Sequence, residues 1–277
     1  GDKRALLEKA LKEKQLHVAL SGPVTPRRGG GAAQLSCAQE RLWILEQMDP
    51  GSCVYIRPLG LRFTGPLRMQ ALAGGLNDII SRHEILRTGF ELIDGAPAQI
   101  IHPARHLDLP LIDLASMSAR RRQEEMQRIV EKLLLPGFDL TKDRLFRAFL
   151  LRLDENEHLL LLAFHHIIFD GWSSGVFLRE MMQLYEAHSL GRPSLLPELE
   201  VQYADFSEWQ RGHFSGQLLE KGLDYWESRL KHVPHILNLP TDRPRPRLLS
   251  NCGARHPISV PSRLTSRLKE IGRQEGA

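Results

Sequence analysis

Cysteine is scarce in this chain: Cys37, Cys53 and Cys252 are the only three in 277 residues. An odd number without CxxC-type spacing gives neither a disulfide framework nor a metal or redox motif. A reduced, cytoplasmic setting is therefore expected. No apolar run approaches the roughly 20 residues that cross a bilayer, and nothing at the N-terminus reads as a signal peptide. A membrane is not an expected partner. An excess of one charge is also missing, with 37 Lys and Arg against 33 Asp and Glu for a net +4. The basic residues are dispersed and form no helix interleaved with aromatics, so nucleic acid is not expected either. There is no internal repeat. What is present, 42% hydrophobic and 25% charged residues, is ordinary for a globular protein with room for one or two domains.

The most informative stretch runs from Leu159 to Gly175, LLLLAFHHIIFDGWSSG. Leu159–Phe164 is apolar without polar alternation, which predicts a strand buried on both faces. His165 and His166 follow. Because successive strand side chains point to opposite faces, one imidazole is expected in the core and the other in a cavity. Asp170 and Gly171 come next, and Ser173 or Ser174 is placed to cap the following helix. Three readings of these residues compete. The histidines can be satisfied core residues. They can be metal ligands with Asp170, although no Cys pair or HExxH spacing supports a metal. Finally, Gly171-Trp172-Ser173-Ser174-Gly175 fits the G-x-S-x-G elbow of a serine hydrolase, but leaves the paired histidines without a role.

In chain order, residues 2–15 form a charged helical pattern and residues 21–34 a Gly, Pro and Arg linker. Ser36-Cys37-Ala38-Gln39 is a capping box, and Leu42, Trp43, Leu45 and Met48 give the helix after it an apolar side. A strand over Leu59–Phe63 precedes a helix expected to start at Pro66, with Leu67, Leu72, Leu76, Ile79 and Ile80 inward. Asp94-Gly95 predicts a hairpin turn. A long helix is expected over 116–135, then strands over 145–153 and 158–168 around a polar turn. Helices follow over 174–188 and 218–230, with an aromatic helix face around Tyr203 and Trp209 between them. Residues 239–246 read as an extended Pro-rich crossing, and a strand over 256–260 and a helix over 262–273 close the chain.

Several of these stretches share a second property. His165-His166-Ile167-Ile168-Phe169-Asp170-Gly171 resembles the HHxxxDG signature of the condensation domains of nonribosomal peptide synthetases, members of the chloramphenicol acetyltransferase-like superfamily. Ser36-Cys37-Ala38-Gln39-Glu40-Arg41-Leu42-Trp43-Ile44-Leu45 is similar to their opening SxAQxRLWxL. Arg82-His83-Glu84-Ile85-Leu86-Arg87-Thr88-Gly89-Phe90 is similar to RHExLRTxF, and Tyr203-Ala204-Asp205-Phe206-Ser207-Glu208-Trp209 to YxDFxxW. The match runs from Leu35 to the C-terminus in the family's order, but without the motifs of its C-terminal lobe. Ile56 stands where many members carry Asn.

The resemblance implies an α/β fold, a two-layer sandwich with a mixed sheet forming one acetyltransferase-like half-unit. Residues 1–34 would be a helix and flexible linker, 35–240 an N-terminal lobe, and 241–277 a crossing segment and the start of a truncated second lobe. The implied activity is amide formation between a donor acyl thioester and an acceptor aminoacyl thioester on carrier proteins. His166 would handle the amine proton and Gly171 leave room for the substrate arm. His165 would be structural, and Asp170 would hold the loop through an arginine, Arg87 or one of the absent lobe. Arg82 and Arg87 would be structural ion-pair donors, with Trp172, Ser173, Tyr203 and Trp209 in support. No metal or other intrinsic cofactor is implied; the substrates would arrive on phosphopantetheine, or the donor as acyl-coenzyme A. The partners would be donor and acceptor carrier domains and adjacent synthetase domains. A serine hydrolase using Ser173, or a non-catalytic docking lobe, are the alternatives.

Overall fold

The computed structural model describes residues 23–27, 29, 31–142, 144–234, 236–237, 239–244 and 256–276. The helix expected over 2–15, much of the linker and Cys252 lie outside them. The chain divides into two compact units, residues 1–232 and 233–277.

In the larger unit, β1 (Ala33–Gln34) leads into α1 (Cys37–Met48), whose start is fixed by the expected capping box. The Gln39 amide donates to Ser36 Oγ at 3.2 Å, and the Ser36 amide donates to Gln39 Oε1 at 3.0 Å. The buried side of α1 differs from the expected one. Met48 is 76% exposed, whereas Glu46 is buried. Glu46 follows Leu42 by four residues and Trp43 by three, so it lies on their stripe.

Strand β2 (Ile56–Thr64) is followed by α2 (Met69–Arg82), which begins three residues after Pro66. The delay has a visible cause: the Arg68 amide is held by the Tyr185 hydroxyl at 3.1 Å, fixing an extended entry. Leu72, Leu76, Ile79 and Ile80 turn inward as the periodicity requires. A 3-10 turn, Glu84–Arg87, leads to the hairpin β3 (Thr88–Ile93) and β4 (Ala96–Ile101). Asp94 and Gly95 both have positive φ, 52° and 81°, as the two-residue turn demands.

Next come β5 (Leu111–Asp113) and α3 (Ala119–Ile129). The helix expected over 116–135 in fact changes to a π-turn at Val130–Leu134. Strands β6 (Phe146–Asp154) and β7 (Glu157–His165) form the central hairpin, followed by α4 (Gly171–Leu190), α5 (Tyr203–His213) and α6 (Gly216–Leu230). Gly191, at φ 62°, ends α4 in the left-handed conformation favoured at a helix C-terminus.

The strands form two sheets. One is a four-stranded mixed sheet, β2-β7-β6-β5, in which only β5 and β6 run parallel; the other is antiparallel, β1-β4-β3. Strand β7 lies between β2 and β6. Leu160, Leu162 and Ala163 are completely buried, so the apolar run is covered on both faces. In the smaller unit, α7 (Ser262–Gln274) forms, but 256–260 is irregular, not a strand. A strand needs a ladder partner, and the described residues of this unit contain no other strand.

Candidate active site

The site is built where β7 ends. The ladder with β2 pairs His165 with Ile56 and carries one step further, the His166 amide donating to the Tyr55 carbonyl at 2.7 Å. Alternation then divides the two histidines. His165 is fully buried, and His166 is half-buried.

His165 Nδ1 accepts the Ile167 amide at 3.1 Å, so its proton sits on Nε2, 3.5 Å from Glu46 Oε2. Burial, helped by the neighbouring His166, pushes the His165 pKa down to about 4. Burial also raises the Glu46 carboxyl; the Gly51 amide, donating to it at 2.6 Å, opposes this, and Asp49 and Asp139 add to it. Phe138 meets the His165 ring edge-on at 6.2 Å. His165 is thus a neutral core group at the end of β7, near Glu46 of α1 but without a hydrogen bond to it.

His166 is held in the opposite sense. Its Nδ1 lies 2.9 Å from the Phe169 carbonyl, which can only accept, so Nδ1 carries the proton. Its Nε2 keeps a lone pair, and Arg57 Nη2 donates to it at 2.6 Å. The loop that supplies Phe169 is anchored by stacking: the Phe169 ring lies 3.9 Å from that of Phe164, within 7° of parallel. Phe177 of α4 closes on both rings edge-on.

Asp170 corrects the expected helix cap, and Arg87 is not its partner. Asp170, and not Ser173 or Ser174, is the N-cap of α4, accepting the Ser173 amide at 2.8 Å and the Ser173 hydroxyl at 2.7 Å. No arginine among the described residues pairs with it. Desolvation would raise its pKa, but the two Ser173 bonds, the nearby His166 and the Trp172 amide outweigh that and lower it. Arg87 instead lies 3.6 Å from Glu84 and donates to the His102 carbonyl at 2.6 Å. Arg82 sits 3.2 Å from Glu180, a carboxylate shared with His83 at 2.6 Å.

Two adjoining cavities open from this loop. His166, Asp170 and Ser173 line one of about 190 Å³, with Gln39 and Leu42 of α1 and Tyr203 of α5. Trp172 and Ser173 line the other, about 220 Å³, with His83 and Tyr203. Tyr203 shares a 3.0 Å hydrogen bond with Ser36 Oγ, and its pKa is raised chiefly by burial. Trp172 is 85% exposed. A side chain at Gly171 would meet nothing within 4 Å, so the glycine leaves open space in front of the loop. Trp209 lines neither cavity and stacks on His213 at 5.0 Å. Sequence reading missed Glu46 and Arg57. The helical stripe marks Glu46, whereas the site of Arg57 depends on how β2 pairs with β7, a long-range property.

The geometry offers, in a residue that lines a cavity, an imidazole whose Nδ1 is committed to the Phe169 carbonyl and whose Nε2 is left as the acceptor, the arrangement of a proton acceptor. It does not assemble a serine nucleophile, because the Ser173 hydroxyl gives its proton to Asp170 and no imidazole hydrogen-bonds it among the described residues. Among those residues no group of three or more His, Cys, Asp or Glu can hold a metal ion, and no helix is long and apolar enough to cross a membrane.

A sequence profile described as "Condensation domain" matches residues 30–277. The chain is 42% identical over 243 residues to a linear gramicidin synthase protein of Brevibacillus parabrevis, covering 88% of this chain but 5% of that protein. Among solved structures, the X-domain from teicoplanin biosynthesis matches with a TM-score of 0.77 at 28% identity, over 92% of this chain and 56% of that one. The first condensation domain of the CDA synthetase shares the fold, with a TM-score of 0.64 at 23% identity, over 77% of this chain and 53% of that one. The chain thus spans about half the length of these solved domains and a small fraction of the curated relative.

Proposed function

This chain belongs to the condensation-domain family, and on that premise we propose that it supplies the proton-handling half of an amide-forming acyltransferase site. The reaction joins a donor acyl thioester to the amine of an acceptor aminoacyl thioester, both carried on the phosphopantetheine arms of carrier domains. His166 carries the proposal: it lines the cavity, and its tautomer leaves the lone pair on Nε2. A free α-amine, with a pKa of roughly 7.7 to 8.0, is partly neutral near pH 7 and can attack without prior deprotonation. As the C–N bond forms the nitrogen becomes cationic, and His166 Nε2 takes its proton. The C–S bond then breaks and the thiolate leaves.

The other residues serve this step indirectly. His165, buried and neutral, fixes the end of β7. Asp170 and Ser173 set the first turn of α4 and hence the loop that carries the Phe169 carbonyl. That carbonyl holds the His166 tautomer. The open space at Gly171 suits the approach of a thioester. We further propose that residues 35–240, with strand β1 ahead of them, are the N-terminal lobe and 241–277 the passage into a second lobe. Donor and acceptor carriers and adjacent synthetase domains are the partners this reading implies, in a cytoplasmic setting, with the donor arriving on a carrier arm or as acyl-coenzyme A.

The test is a synthetase carrying this chain together with a second lobe, given loaded donor and acceptor carriers, with amide product on the acceptor arm followed by mass spectrometry. Product is expected from that protein and negligible product from the 277-residue chain alone. Multiple turnovers by the chain alone would overturn the two-lobed reading, and absence of product from the complete protein would overturn the catalytic one.

A further inference from the structure

The one feature of the site that the proposed chemistry leaves unused is Arg57. Tyr55 lies opposite His166 where the β2–β7 ladder ends, and Arg57, two residues along β2, is its diagonal neighbour. Such neighbours are about 7 to 8 Å apart at the backbone, within reach of a long side chain. Arg57 spans that gap and places Nη2 2.6 Å from His166 Nε2. A guanidinium is always charged and only donates. The bond therefore has one sense, and the single Nε2 lone pair is occupied. While it lasts, His166 has no basic nitrogen free, because Nδ1 is committed to the Phe169 carbonyl.

The bond is also a mismatch of charge. Arg57 is exposed and has no carboxylate within ion-pair distance among the described residues. Arg62, on the same strand, is by contrast paired with Glu157. A guanidinium on a neutral nitrogen exchanges readily for a carboxylate, since bonds with both partners ionised are roughly twice as strong as neutral ones and a carboxylate can accept two at once.

We propose that Arg57 is an anion-responsive latch: it covers His166 Nε2 in the empty site, and a carboxylate on the incoming acyl group draws it away and frees that lone pair. The substrate class is thus an acyl or aminoacyl group with an acidic side chain. Arg57 acts through His166 and through recognition, as a positioning and specificity residue. The inference rests on His166 being the proton acceptor, and its test needs no turnover.

The measurement is the histidine side-chain ¹⁵N spectrum of the 277-residue chain at mildly alkaline pH, with His166 identified by its loss in His166→Gln. Arg57→Met is expected to move the Nε2 resonance toward that of an unbonded ring nitrogen, with backbone amide shifts elsewhere unchanged. Arg57→Lys, which keeps a donor, should move it less. Titration with N-acetyl-aspartate α-amide, whose only carboxylate is the side chain, should move the wild-type resonance in the same direction and saturate at millimolar concentration. N-acetyl-asparagine amide, which has no carboxylate, should not, and Arg57→Met should respond to neither. Equal Nε2 shifts in wild type and Arg57→Met would overturn the latch, as would equal responses to the two probes. Either outcome would leave the role of His166 to be decided by turnover, so the two failures are distinguishable.

Discussion

His165 and His166, joined by one peptide bond, are held as opposite tautomers. The first accepts a backbone amide at Nδ1 and carries its proton on Nε2. The second donates from Nδ1 to a carbonyl and keeps its lone pair on Nε2. Strand alternation is the cause: one ring enters the core beside α1, and the other reaches the cavity at the end of β7. The same residue type therefore serves anchoring at one position and chemistry at the next.

The buried partner should show itself in the pH dependence of stability. Its pKa falls from 6.5 unfolded to about 4 folded, so the unfolded chain binds a proton between those values that the native chain does not. Stability from this group is full above pH 6.5 and is lost as pH falls toward 4. The loss amounts to about 3 kcal/mol, at 1.36 kcal/mol for each pH unit. The raised pKa of Glu46 works in the opposite sense, its cost growing as pH rises through the usual carboxylate range. Urea melts of wild type and His165→Gln between pH 4 and 7 isolate the histidine contribution. A steeper wild-type slope is expected, and parallel slopes would contradict it.

Among the described residues Asp170 is an exposed N-cap without an arginine partner, and a cap and a buried ion pair differ in magnitude. Breaking a buried carboxylate–guanidinium pair costs roughly 3 to 5 kcal/mol, but losing a cap costs about 1. Asp170→Ala should therefore lower the melting temperature by only a few degrees and leave the protein soluble. Asp170→Asn, still able to accept the Ser173 amide, should keep most of the stability. An insoluble or grossly destabilised Asp170→Ala would show a tighter constraint on this carboxylate.

How α1, α5 and the small sheet hold together rests on three buried polar side chains. Gln39 donates to Gln99 Oε1 at 3.1 Å, while Gln99 donates to the Gln34 carbonyl at 2.8 Å and to Ser207 Oγ at 3.0 Å. Gln99→Leu removes every link at once and leaves the Gln39 amide and the Gln34 carbonyl without this partner. At about 1 to 3 kcal/mol for each stranded group, a loss of roughly 2 to 6 kcal/mol is expected in denaturant melts. A change below about 0.5 kcal/mol would mean that water replaces the network.

Local rules carry much of this architecture. The capping box at Ser36, the Asp94-Gly95 turn and the split of the two histidines each depend on a few neighbouring residues, and all three are legible in the sequence. The features that are not legible divide by cause. Asp170 is followed three residues later by Ser173, and that local chemistry makes it the cap where Ser173 or Ser174 is expected. Glu46 stands on the stripe of Leu42 and Trp43, but a carboxylate is not expected to be buried without a cation. The partner of Arg57 depends on the register that places Ile56 opposite His165, which no local pattern specifies. Residues 256–260 have the composition of a strand, although a strand exists only with a neighbour to pair with.

Ser173 separates this site from a hydrolase. Its hydroxyl is spent on Asp170, so Ser173→Ala should lose only that hydrogen bond, about 0.5 to 1.5 kcal/mol, keep the Asp170 cap on its backbone amide and keep most condensation. A fluorophosphonate probe should leave the wild-type protein unlabelled at this residue. Labelling at Ser173, together with loss of all turnover in Ser173→Ala, would restore the nucleophile reading.

In the proposed reaction everything turns on transfer of the attacking amine's proton to His166 Nε2. The decisive quantity is the rate of amide formation on the acceptor carrier by His166→Ala, in a synthetase carrying this chain with a second lobe. Removing a general base typically costs 10²- to 10⁴-fold, and a loss in that range is expected with folding and carrier binding intact. Turnover by His166→Ala within about threefold of wild type would rule out His166 as the proton acceptor.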